Sequence, residues 1–121
     1  MIVRQLFWIS KSAKEAELLI SDGEFECIAF SQPCDIKEGD HLKEPLHAFI
    51  VNNLMISRDE NCSVVLIKDN GLAQKLVTKV VDVENGIVKI GNIEILLDEK
   101  APPGVLAGDL VEFTCARLDI W

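Results

Sequence analysis

The sequence predicts an all-β domain, a small closed or partly open antiparallel barrel with at most one short helix. Three observations predict it. Apolar residues recur with a period of two, as in Ile93-Glu94-Ile95-Leu96-Leu97 and Val111-Glu112-Phe113-Thr114-Cys115, the period that lines one face of a strand. Runs such as Leu76-Val77-Thr78-Lys79-Val80-Val81 are rich in β-branched residues, which suit a pleated surface. Asp22-Gly23, Asn70-Gly71 and Asn85-Gly86 punctuate those runs with the pairs that tight hairpin turns prefer. The whole chain is 121 residues, the length of one domain with a sizeable core.

In chain order the strand candidates fall at about 2–9, 16–21, 24–30, 47–51, 63–68, 74–84, 86–91, 93–97 and 109–118. The first is the apolar opening Ile2-Val3-Arg4-Gln5-Leu6-Phe7-Trp8-Ile9. Residues 12–21 admit two readings. Ser12-Ala13-Lys14-Glu15 is a fair capping box for a helix, but the stretch is short for one. As a strand it pairs across Asp22-Gly23 with 24–30, and that reading is preferred. Asn85-Gly86 lies between two apolar runs and is the most secure hairpin. Pro33, Pro45 and Pro102-Pro103 fall between runs, where a missing amide donor does no harm.

A faint internal echo runs through the chain. Gly23-Glu24-Phe25-Glu26-Cys27-Ile28, then Pro33, then Gly39-Asp40-His41-Leu42, is matched by Gly91-Asn92-Ile93-Glu94-Ile95-Leu96, Pro102-Pro103 and Gly108-Asp109-Leu110-Val111. The functional reading is a pseudo-repeat of 16–51 and 86–118 within one domain, 1–121. The plainer reading is that such strand entries are generic. The Gly-Asp-x-apolar entries resemble those of oligonucleotide/oligosaccharide-binding (OB-fold) barrels. That resemblance implies a binding face on one side of a barrel; it transfers no particular residue, and fold alone does not give function.

Twelve Lys and Arg stand against 20 Asp and Glu, a formal net charge of -8. The excess is spread along the chain: -5 over residues 1–60 and -3 over 61–121. Such a surface opposes binding to phosphates and to anionic membranes, and suits a basic protein partner. The first residues lack a cleavage site after their short apolar run, and no run is long enough to span a membrane. A cytoplasmic location is the expectation. There Cys27, Cys34, Cys62 and Cys115, with no Cys-x-x-Cys pair, should be free thiols, with Cys27 and Cys115 inside the core.

Motifs for chemistry are sparse. Cys34, His41 and His47 lie within fourteen residues and are weak candidates for zinc, but their spacing exceeds that of structural sites. Cys34 as a nucleophile would need a cationic field, and Asp35, Glu38, Asp40 and Glu44 surround it. Glu24 and Glu26 share the wet face of a strand. No phosphate-binding glycine loop is present. No cofactor is expected and no catalytic residue is assigned.

The best nucleic-acid case combines Trp8 and Arg4 on one strand face with Lys79 and Lys89 on strands beside them, an aromatic platform with cations. Phe7 and Trp8 should point to opposite faces, leaving one outside. Trp121 is expected to fold back and seal the core, or else to project as an anchor. The sequence therefore predicts a non-catalytic binding or interaction module that contacts a protein partner or a second copy of itself. Single-stranded nucleic acid binding is the first alternative, and a small metal or thiol protein the second.

Overall fold

The computed structural model describes residues 1–67 and 71–121. Nine strands among the described residues form one sheet: β1 Ile2–Ser10, β2 Glu15–Ser21, β3 Glu26–Ser31, β4 Leu46–Ile56, β5 Ser63–Leu66, β6 Gln74–Asp82, β7 Ile87–Ile90, β8 Ile93–Leu96 and β9 Leu110–Asp119. Among the described residues there is no helix, and hence none long and apolar enough to cross a membrane. The ambiguous 12–21 segment resolves into a turn around Lys14 followed by β2. Ala16, Leu18 and Ile20 are fully buried along it, so period-two burial outweighs the capping box. Asp22-Gly23 and Asn85-Gly86 turn hairpins as expected, with Gly23 and Gly86 at positive φ. Asn70 of Asn70-Gly71, and Lys68 at the end of the 63–68 candidate, lie outside the described residues.

Five strands close a ring. β9 pairs with β4, β4 with β8, β8 with β7, β7 with β6, and β6 with β9 again. This closed five-stranded barrel is consistent with a small OB-like fold. It departs from an antiparallel expectation at two places: β4 runs parallel to β8, and β3 parallel to β9. Hairpin logic gives only antiparallel neighbours; these pairs join strands distant in sequence. Inward residues of the ring fill the core: Leu76 and Val80, Val88 and Ile90, Ile93 and Ile95, and Val111, Phe113 and Cys115, all at most 3% exposed. β1, β2 and β3 form a meander whose Val3, Leu18, Ile20 and Cys27 join the same core.

One side chain stitches meander to barrel. The second edge of β9 is shared, β6 pairing with Leu110–Cys115 and β3 with Leu118 and Asp119. At the junction Gln74, wholly buried, spans the gap. Its Nε2 donates to the Ile28 carbonyl at 2.8 Å, and its Oε1 accepts from the Ile28 N–H at 3.0 Å. The amide thus does for β3 what a neighbouring strand would do.

The two Gly-Asp entries are built alike. In each, the Asp N–H donates to the residue three before, Lys37 or Leu106, at 3.1 Å. The Asp carboxylate accepts that residue's own N–H, at 2.9 Å for Asp40 and 3.0 Å for Asp109. Gly39 and Gly108 take φ of 90° and 96°, open to glycine at little cost. Each turn then pairs with the first strand of a three-stranded meander: Gly39 and Asp40 bond to Val3, and Gly108 and Asp109 to Val80.

The tips of the two meanders meet at Asp22. Its Oδ1 accepts from the N–H groups of Glu24 and Phe25 (2.9 and 2.7 Å), and its Oδ2 from that of Asn92 at 2.7 Å. A Cβ on Gly91 would come within 2.1 Å of Oδ2, so glycine lets the tips touch. Burial pushes the Asp22 carboxyl up, but the N–H groups of Asn92, Phe25 and Glu24 together hold it below its ordinary 3.8. A carboxylate depressed in the folded state stabilises above its unfolded pKa, and that contribution is lost as pH falls through the folded value. Asp22→Ala should therefore cost about 2 kcal/mol at neutral pH through three lost charge-assisted hydrogen bonds. Urea unfolding at pH 7 and again below pH 3 checks both size and sign: the deficit should shrink at the lower pH.

β4 is irregular. Ile50 and Asn53 both have φ near +55°, and the pairing with β9 shifts register between Asn52 and Met55. A β-branched residue in this region is strained. Ile50 is half exposed, so little burial is at stake. Ile50→Asn should raise stability by about 1 kcal/mol, read as a higher urea midpoint with an unchanged slope.

Candidate functional site

The outer faces of β3, β9 and β4 carry a cluster of planar side chains. Inward residues alternate with outward ones: Ala29, Leu118 and Ala48 are buried, so Phe30, Arg117, Asp119, His47 and Phe49 face outwards. The register brings them together, with Phe30 opposite Asp119, His47 opposite Asp119, and Phe49 opposite Arg117. The Arg117 guanidinium lies 4.3 Å from the Phe30 ring centre and 4.9 Å from that of Phe49. It also grips Asp119 with two nitrogens, Nε to Oδ1 at 2.5 Å and Nη2 to Oδ2 at 3.1 Å. This planar fork between rings is an arrangement lysine cannot make. It leaves Asp119 only 7% exposed.

Trp121 forms a second stacked pair beside that cluster. Its ring lies on His47 with centroids 3.9 Å apart and planes 8° from parallel. Yet the residue is 84% exposed. It projects rather than sealing the core, correcting that expectation. The core end is already closed by Leu118 and by the hydrogen bond from the Ile120 N–H to the Phe30 carbonyl. Trp121 stands between two depressions and lines both. One, about 400 Å³, is bordered by His47, Phe49, Leu96, Leu97, Asp98 and Asp119. The other, about 310 Å³, lies against Ile36, His41, Leu42 and Pro45.

The nucleic-acid candidates do not assemble as expected. Arg4 and Trp8 sit on β1, which ends the sheet order beside β2. Lys79 and Lys89 face each other across β6 and β7, strands that do not neighbour β1. Arg4 forms an ion pair with Glu26 at 3.1 Å. Alternation also fails at the end of β1. Phe7, Trp8 and Ile9 are 56%, 42% and 51% exposed, because β1 shifts register between Trp8 and Ser10 and the described residues cover neither face there.

Cys34, His41 and His47 are likewise not brought together. Cys34 is buried with its thiol towards the Ile36 carbonyl, His41 is exposed, and His47 lies under Trp121. Among the described residues no group of three or more His, Cys, Asp or Glu is placed to hold a metal ion. Burial pushes the Cys27 thiol up to about 12 and the Cys115 thiol up to about 11, which makes both poor nucleophiles.

β1 is also a partly open edge. Its first half is covered: Val3 exchanges hydrogen bonds with Gly39 and Asp40, and the Leu6 N–H donates to the Glu38 carboxylate at 3.1 Å. Beyond Leu6 this edge has no further partner among the described residues. Sequence reasoning missed Phe30, Arg117, Phe49 and Asp119. The one available signal was Arg117 and Asp119 two apart on a strand, hence on one face. No protein-family model, curated protein or solved structure matches the chain.

Proposed function

We propose that the chain is a non-catalytic interaction module of the cytoplasm that contacts a protein partner or a second copy of itself. The observation that carries this reading is the free end of β1, where Phe7, Trp8 and Ile9 are exposed together along an unpaired strand edge. Natural proteins blunt such edges with charge or cover them, and β1 carries a single charged side chain, Arg4. An extended segment laid along it would gain main-chain hydrogen bonds and apolar contacts at once. The second tryptophan, Trp121, is exposed as well, and tryptophan is enriched among residues that dominate interface energies.

The reading is tested by Phe7→Lys/Trp8→Glu. Sedimentation of the wild-type chain over a range of concentrations detects self-association. A partner captured by the wild-type chain is purified and titrated against both proteins. The double variant should lose either association by about 30-fold or more, two disrupted anchors at over 1 kcal/mol each. Equal binding by both proteins refutes the reading. A single-stranded oligonucleotide that shifts the amides of Arg4 and Trp8 at low salt, and not at high salt, replaces it with the nucleic-acid alternative.

A further inference from the structure

We infer that the depression beside Trp121 receives an alkylated ammonium group, the side chain of a methylated lysine on a basic partner. The inference rests on the interaction-module reading and names the chemistry of a second contact. Three aromatic residues, His47, Phe49 and Trp121, line a cavity of about 400 Å³ together with Leu96, Asp98 and Asp119. Aromatic rings attract cations through the negative potential of their faces, and quaternary ammonium groups are recognised in this way. The lining adds two carboxylates and, among the described residues, no lysine or arginine. Arg117 neutralises Asp119 from the neighbouring side, where the two Phe rings hold its guanidinium. Asp98 is exposed and has no ion-pair partner among the described residues.

The rest of the lining selects the kind of cation. Ala48, Leu96 and Leu97 are apolar. A bare ammonium entering there would surrender water for few acceptors, which is costly. A methylated ammonium presents its charge on an apolar surface, so methyl groups meet leucine while the charge meets rings and carboxylate. The volume is within the range of small-ligand sites. The chain's net charge of -8 draws a basic partner to the surface. The His47 ring beneath Trp121 holds the indole at the cavity wall, which lowers the ordering cost of binding.

The test uses three short peptides that differ only at one side chain: trimethyllysine, lysine, and a neutral analogue with C(CH3)3 in place of N(CH3)3. The chain has two tryptophans, so in a Trp8→Phe background the fluorescence reports Trp121 alone. The trimethyllysine peptide should change it saturably and bind about tenfold or more tighter than either control, the size of a desolvated cation–π contact. By calorimetry, Trp121→Ala should weaken binding by about tenfold and Asp98→Asn by about threefold. Equal affinity for the neutral analogue, or no saturable binding of the methylated peptide, overturns the inference. The Phe7→Lys/Trp8→Glu variant should bind this peptide normally. Loss of partner binding in that variant with no peptide binding by the wild type sinks the cavity alone. Peptide binding without any effect of the edge variant sinks the β1 contact alone.

Discussion

Gln74→Leu should destabilise the protein by about 3 kcal/mol although leucine is the more apolar residue and the site is fully buried. The amide supplies both hydrogen bonds of the Ile28 peptide groups at the place where β3 parts from β9. Leucine fills the volume but offers no donor or acceptor, and each buried backbone group left unpaired costs about 1–3 kcal/mol. Gln74→Glu should depend on pH: protonated, its O–H can donate to the Ile28 carbonyl while its other oxygen accepts from the Ile28 N–H, whereas ionised it buries a charge beside that carbonyl and costs more than leucine. Equilibrium urea unfolding gives the sizes. Hydrogen exchange gives the location: the Ile28 amide should exchange much faster in the leucine variant, while the Val111 and Phe113 amides inside the ring change only with global stability. A leucine variant as stable as wild type would show that the Gln74 amide adds nothing to what packing, the β3–β9 pairs and the Asp22 contact already supply.

Arg117→Met should cost about 2–3 kcal/mol, and most of that loss should return in Arg117→Met/Asp119→Asn. The single change strips the nearly buried Asp119 of its only ion-pair partner among the described residues, and removing one member of such a pair leaves a charge without compensation. Arg117 is itself about one-third exposed, so the loss stays below that of a fully buried pair. The double variant removes both charges and keeps an apolar chain between Phe30 and Phe49. A double-mutant cycle on the pair should read a coupling of about 1–2 kcal/mol. Additive losses would mean that the two rings, not the carboxylate, hold the guanidinium in place.

These two sites differ in how far the sequence exposes them. Arg117 and Asp119 sit two apart on one strand, so their common face is legible, but continuing the alternation of Val111, Phe113 and Cys115 would turn it inwards; the alternation breaks at exposed Ala116, and Leu118 is buried instead. Their rings are not: Phe30 and Phe49 come from strands 87 and 68 residues before Arg117 in the chain, and only the register of β3 and β4 against β9 brings them in. Gln74 is harder still. A glutamine at the start of a β-branched run reads as a polar strand end, and nothing local says that an edge lies open opposite it.

Local patterning determined what local physics controls. Period-two alternation fixed which residues turn inwards, as in Ile93, Ile95 and Leu97 or Val111, Phe113 and Cys115, because a buried face tolerates no slip of register. Asp-Gly and Asn-Gly pairs marked hairpins because they accept the backbone angles that such turns need. Net charge set the long-range field. Only the tertiary structure decided which non-consecutive strands meet. Parallel β3–β9 and β4–β8, ring closure at β9–β6, the open end of β1 and the projection of Trp121 all follow from contacts whose partners lie far apart in sequence. Their pairing depends on how the closed core as a whole can be filled, and no short stretch of the chain encodes that.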